Sequence, residues 1–73
     1  MSWHYQATHR VDHGEDVYEV HEVYEGLNDD GSDAYAYTEN AVTPSGETID
    51  ELVESLKMMS DDCTRWPVLE VEP

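Results

Sequence analysis

Trp3-His4-Tyr5-Gln6-Ala7-Thr8-His9-Arg10-Val11-Asp12, then His13-Gly14-Glu15-Asp16, then Val17-Tyr18-Glu19-Val20-His21-Glu22-Val23-Tyr24-Glu25 is the stretch that decides the fold. In its first part Trp3, Tyr5, Ala7, His9 and Val11 alternate with His4, Gln6, Thr8, Arg10 and Asp12, the period of a half-buried strand. The third part is rich in Val and Tyr, with Tyr18, Val20 and Tyr24 at period two, and the segment between reads as a turn. The two strands form a hairpin. Pairing Asp12 with Val17 sets Val11 beside Tyr18, His9 beside Val20, Ala7 beside Glu22 and Tyr5 beside Tyr24, so the apolar faces coincide. That register places Arg10 opposite Glu19 and His4 opposite Glu25 on the polar face.

Working outward, Gly26 to Ser32 is a polar turn with two glycines, and Asp33 to Glu39 reads as a third strand with Tyr35 and Tyr37 turned inward. Asn40 to Gly46 is a connection containing Pro44. It delivers Thr48 as a helix N-cap, with Glu51 completing a capping box and Asp50 complementing the helix dipole. Ile49, Leu52, Val53, Leu56 and Met59 follow helical spacing and are expected on the sheet, with Glu51, Glu54 and Ser55 toward water. Acids at Asp61 and Asp62 oppose the dipole, so fraying is expected near Ser60 to Asp62. Cys63 to Trp66 turns, and Pro67 to Val71 is an extended tail able to add a short edge strand. The expected fold is α+β: a single domain over residues 1–73, a three-stranded antiparallel meander with one helix packed on one face and the tail along an edge.

Eighteen Asp and Glu against three Lys and Arg give a formal charge of −15. For a folded radius near that of a 73-residue chain, the net electrostatic penalty of folding falls by about 6 kcal/mol between 0.1 M and 1 M salt. That is comparable to the whole stability of a small domain. The acidity, with Lys57 the sole lysine, reads as adaptation to molar salt. Arg10, Lys57 and Arg65 are scattered, so nucleic acid is not an expected ligand. A lone Cys63 permits no internal disulfide and favours a reducing interior, and the chain has neither a signal-peptide pattern nor an apolar run of membrane-spanning length. The expected location is cytoplasmic.

Few patterns point to chemistry. Aligning Gly31 with the glycine of a calcium loop puts Gly26 and Tyr37 where acids are needed, which excludes an EF-hand. The four histidines fall on different faces, with His9 on the core face, His4 and His21 on the polar face and His13 in the turn, so no metal site and no cofactor are expected. His9 and Glu22 share the mostly apolar face as diagonal neighbours, a candidate polar pair that reads first as a satisfied structural contact and second as an acid/base couple. With no nucleophile arrangement and no phosphate loop, a non-enzymatic protein is expected. Trp66 before Pro67 is a candidate interaction anchor whose simpler role is to cap the core.

Tyr18 to Tyr24, the segment Thr38-Glu39-Asn40-Ala41-Val42-Thr43-Pro44-Ser45-Gly46-Glu47-Thr48, then Glu51-Leu52 and Pro67-Val68-Leu69 together resemble a family of short uncharacterised α+β proteins, of which this chain looks like a haloarchaeal-type member. That resemblance implies no activity and no functional residues. Gly46, Thr48, Glu51 and Leu52 are also similar to the G-x-T-x-x-E-L pattern of the HicB-type antitoxin domain. This second resemblance implies a partner in the form of a small basic toxin, although the chain ends at Pro73 without an appended DNA-binding element. The function expected is a small interaction or regulatory module, binding another protein or a second copy of itself.

Overall fold

A computed structural model describes residues 2–72. The elements run β1 (Ser2–Asp12), β2 (Glu15–Leu27), β3 (Asp33–Tyr37), α1 (Ile49–Arg65) and β4 (Leu69–Glu70). The fold is α+β, but the sheet is larger and more mixed than the expected three-stranded meander. Its order is β3-β2-β1-β4, with β4 parallel to β1. The helix supplies the crossover a parallel partner requires.

The hairpin is two residues tighter than the faces alone implied. Asp12 pairs with Glu15 rather than Val17, leaving His13 and Gly14 as a two-residue turn with φ of 50° and 80°. Two successive positive φ values mark the turn whose twist matches the flanking strands. A shift of two preserves every face and changes every partner: His9 now opposes Tyr18, and Glu22 opposes Tyr5. Arg10 and Glu19 become diagonal neighbours and still meet, Nε donating to Oε1 at 2.9 Å.

The deepest burial lies on the face that was expected to be polar. His4, Gln6, Thr8, His21 and Val23 are closed off, whereas Trp3, Val11 and Tyr18 on the aromatic face are exposed. Burial is tolerated because the polar groups are satisfied. Gln6 Oε1 lies 2.8 Å from His4 Nε2 and its own Nε2 donates to the Pro67 carbonyl at 2.7 Å. Thr8 donates to the Glu19 carbonyl, and His21 Nδ1 meets the Thr38 carbonyl at 2.8 Å. Among the described residues no buried side-chain polar atom lacks a partner.

The helix begins as its capping pattern requires. Thr48 Oγ1 accepts from the Glu51 amide at 3.1 Å, and the Glu51 carboxylate accepts from the Glu47 amide at 2.7 Å, one residue before the cap. Gly46 has no room for a side chain, since a Cβ there would lie 2.6 Å from both Glu51 Cβ and the Leu52 amide nitrogen. The expected fraying at Ser60 to Asp62 does not occur. Asp62 accepts a hydrogen bond from the Tyr5 amide at 3.0 Å, which holds its charge against β1, and Trp66 N–H closes the helix on the Asp62 carbonyl. The last turn also carries Arg65, favourable to the dipole.

Packing of the helix is sparse. It meets the strands chiefly along β1, burying Met59, and half-burying Leu52 and Ser55. Ile49, Val53 and Leu56, expected in the core, are exposed, Ile49 at 75 %. Tyr35 and Tyr37, expected to turn inward, do not: they lie on the face of Val23, opposite Tyr24, where nothing seals the edge and both are exposed, while Ala34 and Ala36 share the Tyr24 face. Val23 and Met59 are the only buried apolar residues among those described. The accessible surface is 5530 Å², against about 4600 Å² for a folded monomer of 8.4 kDa. The radius of gyration, 13.8 Å, likewise exceeds the ~11 Å of a close-packed chain of this length.

Candidate functional site

The open face and the β3 edge carry the molecule's most unusual surface, and three polar arrangements surround them. On the open face His9 and Glu22 are not brought together. His9 is clasped from two sides, Nε2 at 2.7 Å from Asp16 Oδ1 and Nδ1 at 2.6 Å from Glu70 Oε2, with the Tyr18 ring 4.8 Å away. Hydrogen bonding to Asp16 and then to Glu70 raises its pKa above the ordinary 6.5, so the imidazolium ties the hairpin to β4. Glu22 instead accepts from the Tyr24 hydroxyl at 3.2 Å. Desolvation, and then that carboxylate, raise the Tyr24 pKa. Neither arrangement places a base beside a nucleophile. Sequence reasoning missed Asp16 and Glu70: the first needs the two-residue turn, which brings Asp16 diagonally across from His9, and the second needs the long-range placement of β4.

Trp66 is half-buried and stacks on His4, with ring centroids 4.0 Å apart and planes inclined by 15°. It covers part of the closed face, over His4. Cys63 is half-buried beside Asp62, and burial followed by that charge pushes its thiol pKa up, which makes it less reactive than a free thiol.

A polar recess of about 430 Å³ opens on the closed face between Arg10, Glu19, His21 and Tyr37, bounded by residues 39–41 and the tail at Val71 and Glu72. The Arg10 guanidinium holds the Glu19 carboxyl below its ordinary pKa, and Glu19 in turn raises that of Arg10. The Tyr37 ring meets His21 edge-on at 5.8 Å. Among the described residues no three His, Cys, Asp or Glu side chains are disposed to hold a metal ion.

The apolar surface is more extensive than these. A second recess of about 430 Å³ is lined by Tyr24, Gly26, Leu27, Ala34, Tyr35 and Ala36, beside the free edge of β3. Its signal in the sequence was the tyrosine–alanine alternation of β3, which read there as a buried strand. No helix among the described residues is long and apolar enough to cross a membrane. No family model, curated protein or solved structure matches the chain.

Proposed function

We propose that the chain is a non-enzymatic protein-interaction module that works through its uncovered apolar surface. One observation carries this reading: among the described residues eleven large apolar or aromatic side chains are exposed while two are buried. Such an excess of exposed over buried apolar side chains, spread over the hairpin, the β3 edge and the helix, leaves ample surface on which another protein can dock. In molar salt charge-based attraction is screened, so such area is what an acidic module has left to bind with. The occupation of His9 by two carboxylates and of Glu22 by a tyrosine hydroxyl supports the non-catalytic half of the reading.

Light scattering and affinity capture from a salt-rich lysate test it, using the wild type and the single variants Trp3→Ser, Leu27→Ser and Leu56→Ser. The expected result is association, with itself or another protein, that at least one variant abolishes. A wild type that is solitary in both measurements, or association indifferent to all three substitutions, overturns the reading. Capture of a small basic protein would favour the antitoxin-type role that the second resemblance implies.

A further inference from the structure

Resting on that interaction reading, we infer that the partner on the β3 edge is a second copy of this chain, joined strand to strand across a two-fold axis at Tyr35. The main-chain geometry makes the edge available. Thr38 N–H donates to the Glu22 carbonyl and Asn28 N–H to the Ser32 carbonyl, so the even-numbered positions of β3 turn their polar groups toward β2. By the alternation of an antiparallel ladder, Asp33, Tyr35 and Tyr37 turn theirs away, to the free side of the sheet.

Edge strands are ordinarily guarded by lysine, proline, a bulge or an inward charge. In β3 the one charge is Asp33 at its first position, and Ala34 to Thr38 carries neither acid, lysine nor proline, in a chain with 18 acids. So low a charge along the strand argues against a basic partner at this edge and in favour of a largely uncharged, self-complementary one. With Tyr35 on the axis, Ala34 faces Ala36 of the second copy and Asp33 faces Tyr37 of the second copy, so no carboxylate meets its own image. The outward N–H and C=O groups of Asp33, Tyr35 and Tyr37 then pair reciprocally, the Asp33 carbonyl accepting a second bond beside the one it takes from Asn28 Nδ2 at 3.3 Å.

Area supports the same conclusion. Summed over all its surfaces, the chain exposes about 900 Å² more than a close-packed monomer of its mass, enough to supply the ~800 Å² that each partner contributes to a standard interface. Tyr35 and Leu27, exposed at 63 % and 71 %, line the apolar recess next to the axis. Tyr18, far along β2 from that edge, takes no part.

Light scattering in molar KCl tests the inference on the wild type, Tyr35→Pro, Tyr35→Asp and Tyr18→Ser, with far-UV circular dichroism to verify folding. The wild type and Tyr18→Ser are expected at twice the 8.4 kDa chain mass, and the folded Tyr35 variants at the chain mass. Amide exchange on the wild type gives a reading that needs no variant. Raising the protein concentration should slow the Tyr35 and Tyr37 amides by roughly tenfold or more while leaving Ala34 and Ala36 unchanged. A wild type monomeric at every salt concentration, a dimer that survives either Tyr35 substitution, or exchange at Tyr35 indifferent to concentration overturns it. A monomeric wild type that still captures a different protein sinks only the second copy and leaves the interaction module standing.

Discussion

On one face of the hairpin, His4, Gln6, Thr8 and His21 are closed off, each with a hydrogen-bond partner; on the other, Trp3, Val11 and Tyr18 stand in solvent. Hydropathy assigns these faces the other way round. Burial within a single copy follows coverage: the turn at Trp66 and Pro67 lands on His4 and Gln6 and accepts from Gln6, while Thr38 reaches over His21. The aromatic face lacks such a lid. Its apolar area is available to an occupant outside the chain, whereas the polar face is spent on internal structure.

Salt withdrawal strains this comparison most. With so few apolar side chains buried, the closed face has little to set against −15 charges, and moving from 1 M to 0.1 M KCl is expected to cost about 6 kcal/mol. Thermal unfolding across a KCl series checks this. A chain equally heat-resistant in nearly ion-free buffer would remove salt adaptation as the account of its acidity.

Gln6→Ala comes next. It leaves His4 Nε2 and the Pro67 carbonyl without a partner and opens space under the Trp66 lid, so unfolding stability should fall by about 2–3 kcal/mol. Denaturant titration in molar salt measures it. A neutral outcome would mean that the closed face is not what holds the fold together.

The pH response separates the clasp from both faces. His9 has its pKa raised by folding, so its contribution is complete below the ordinary value near 6.5 and is lost as pH rises through the higher folded value. Glu19 runs the other way. Its folded pKa is depressed, so its contribution is present above the ordinary carboxylate range and lost as pH falls through the folded value. Between these limits both act. Above the His9 transition, β4 should loosen, seen as reduced protection of the Val71 amide, which bonds to the His9 carbonyl. The variant His9→Gln should abolish that alkaline loosening while preserving the acid limb.

The smallest effect is expected at Tyr18→Ser. With the side chain 67 % exposed, the change in stability should stay within about 0.5 kcal/mol by denaturant titration. A loss several times larger would show that the open face is already packed within one copy.

Much of this architecture was legible along the chain. The period-two stretches of β1 and β2, the shared membership of their faces and the Thr48–Glu51 cap are properties of neighbouring residues, and they emerge from local sterics and hydrogen bonding. The register escaped by two residues because face-matching is blind to even shifts, and only the turn geometry at His13 and Gly14 resolves it. His9 was singled out, yet Glu22 was the wrong partner, since Asp16 and Glu70 reach it only in the tighter register and the four-stranded sheet.

By itself, then, the sequence determined which segments are strand and helix, where the helix starts and which side chains travel together on a face, because each of these depends on contacts a few residues apart. Tertiary structure alone decided which face is closed, that Leu69 and Glu70 join β1 as a parallel strand, and that Asp62 steadies a helix end it was expected to fray. Those outcomes depend on where the helix and its following turn return to the sheet, and they rest on contacts between residues some sixty positions apart, Tyr5 with Asp62 and Gln6 with Pro67. Periodicity within either segment carries no information about such a meeting.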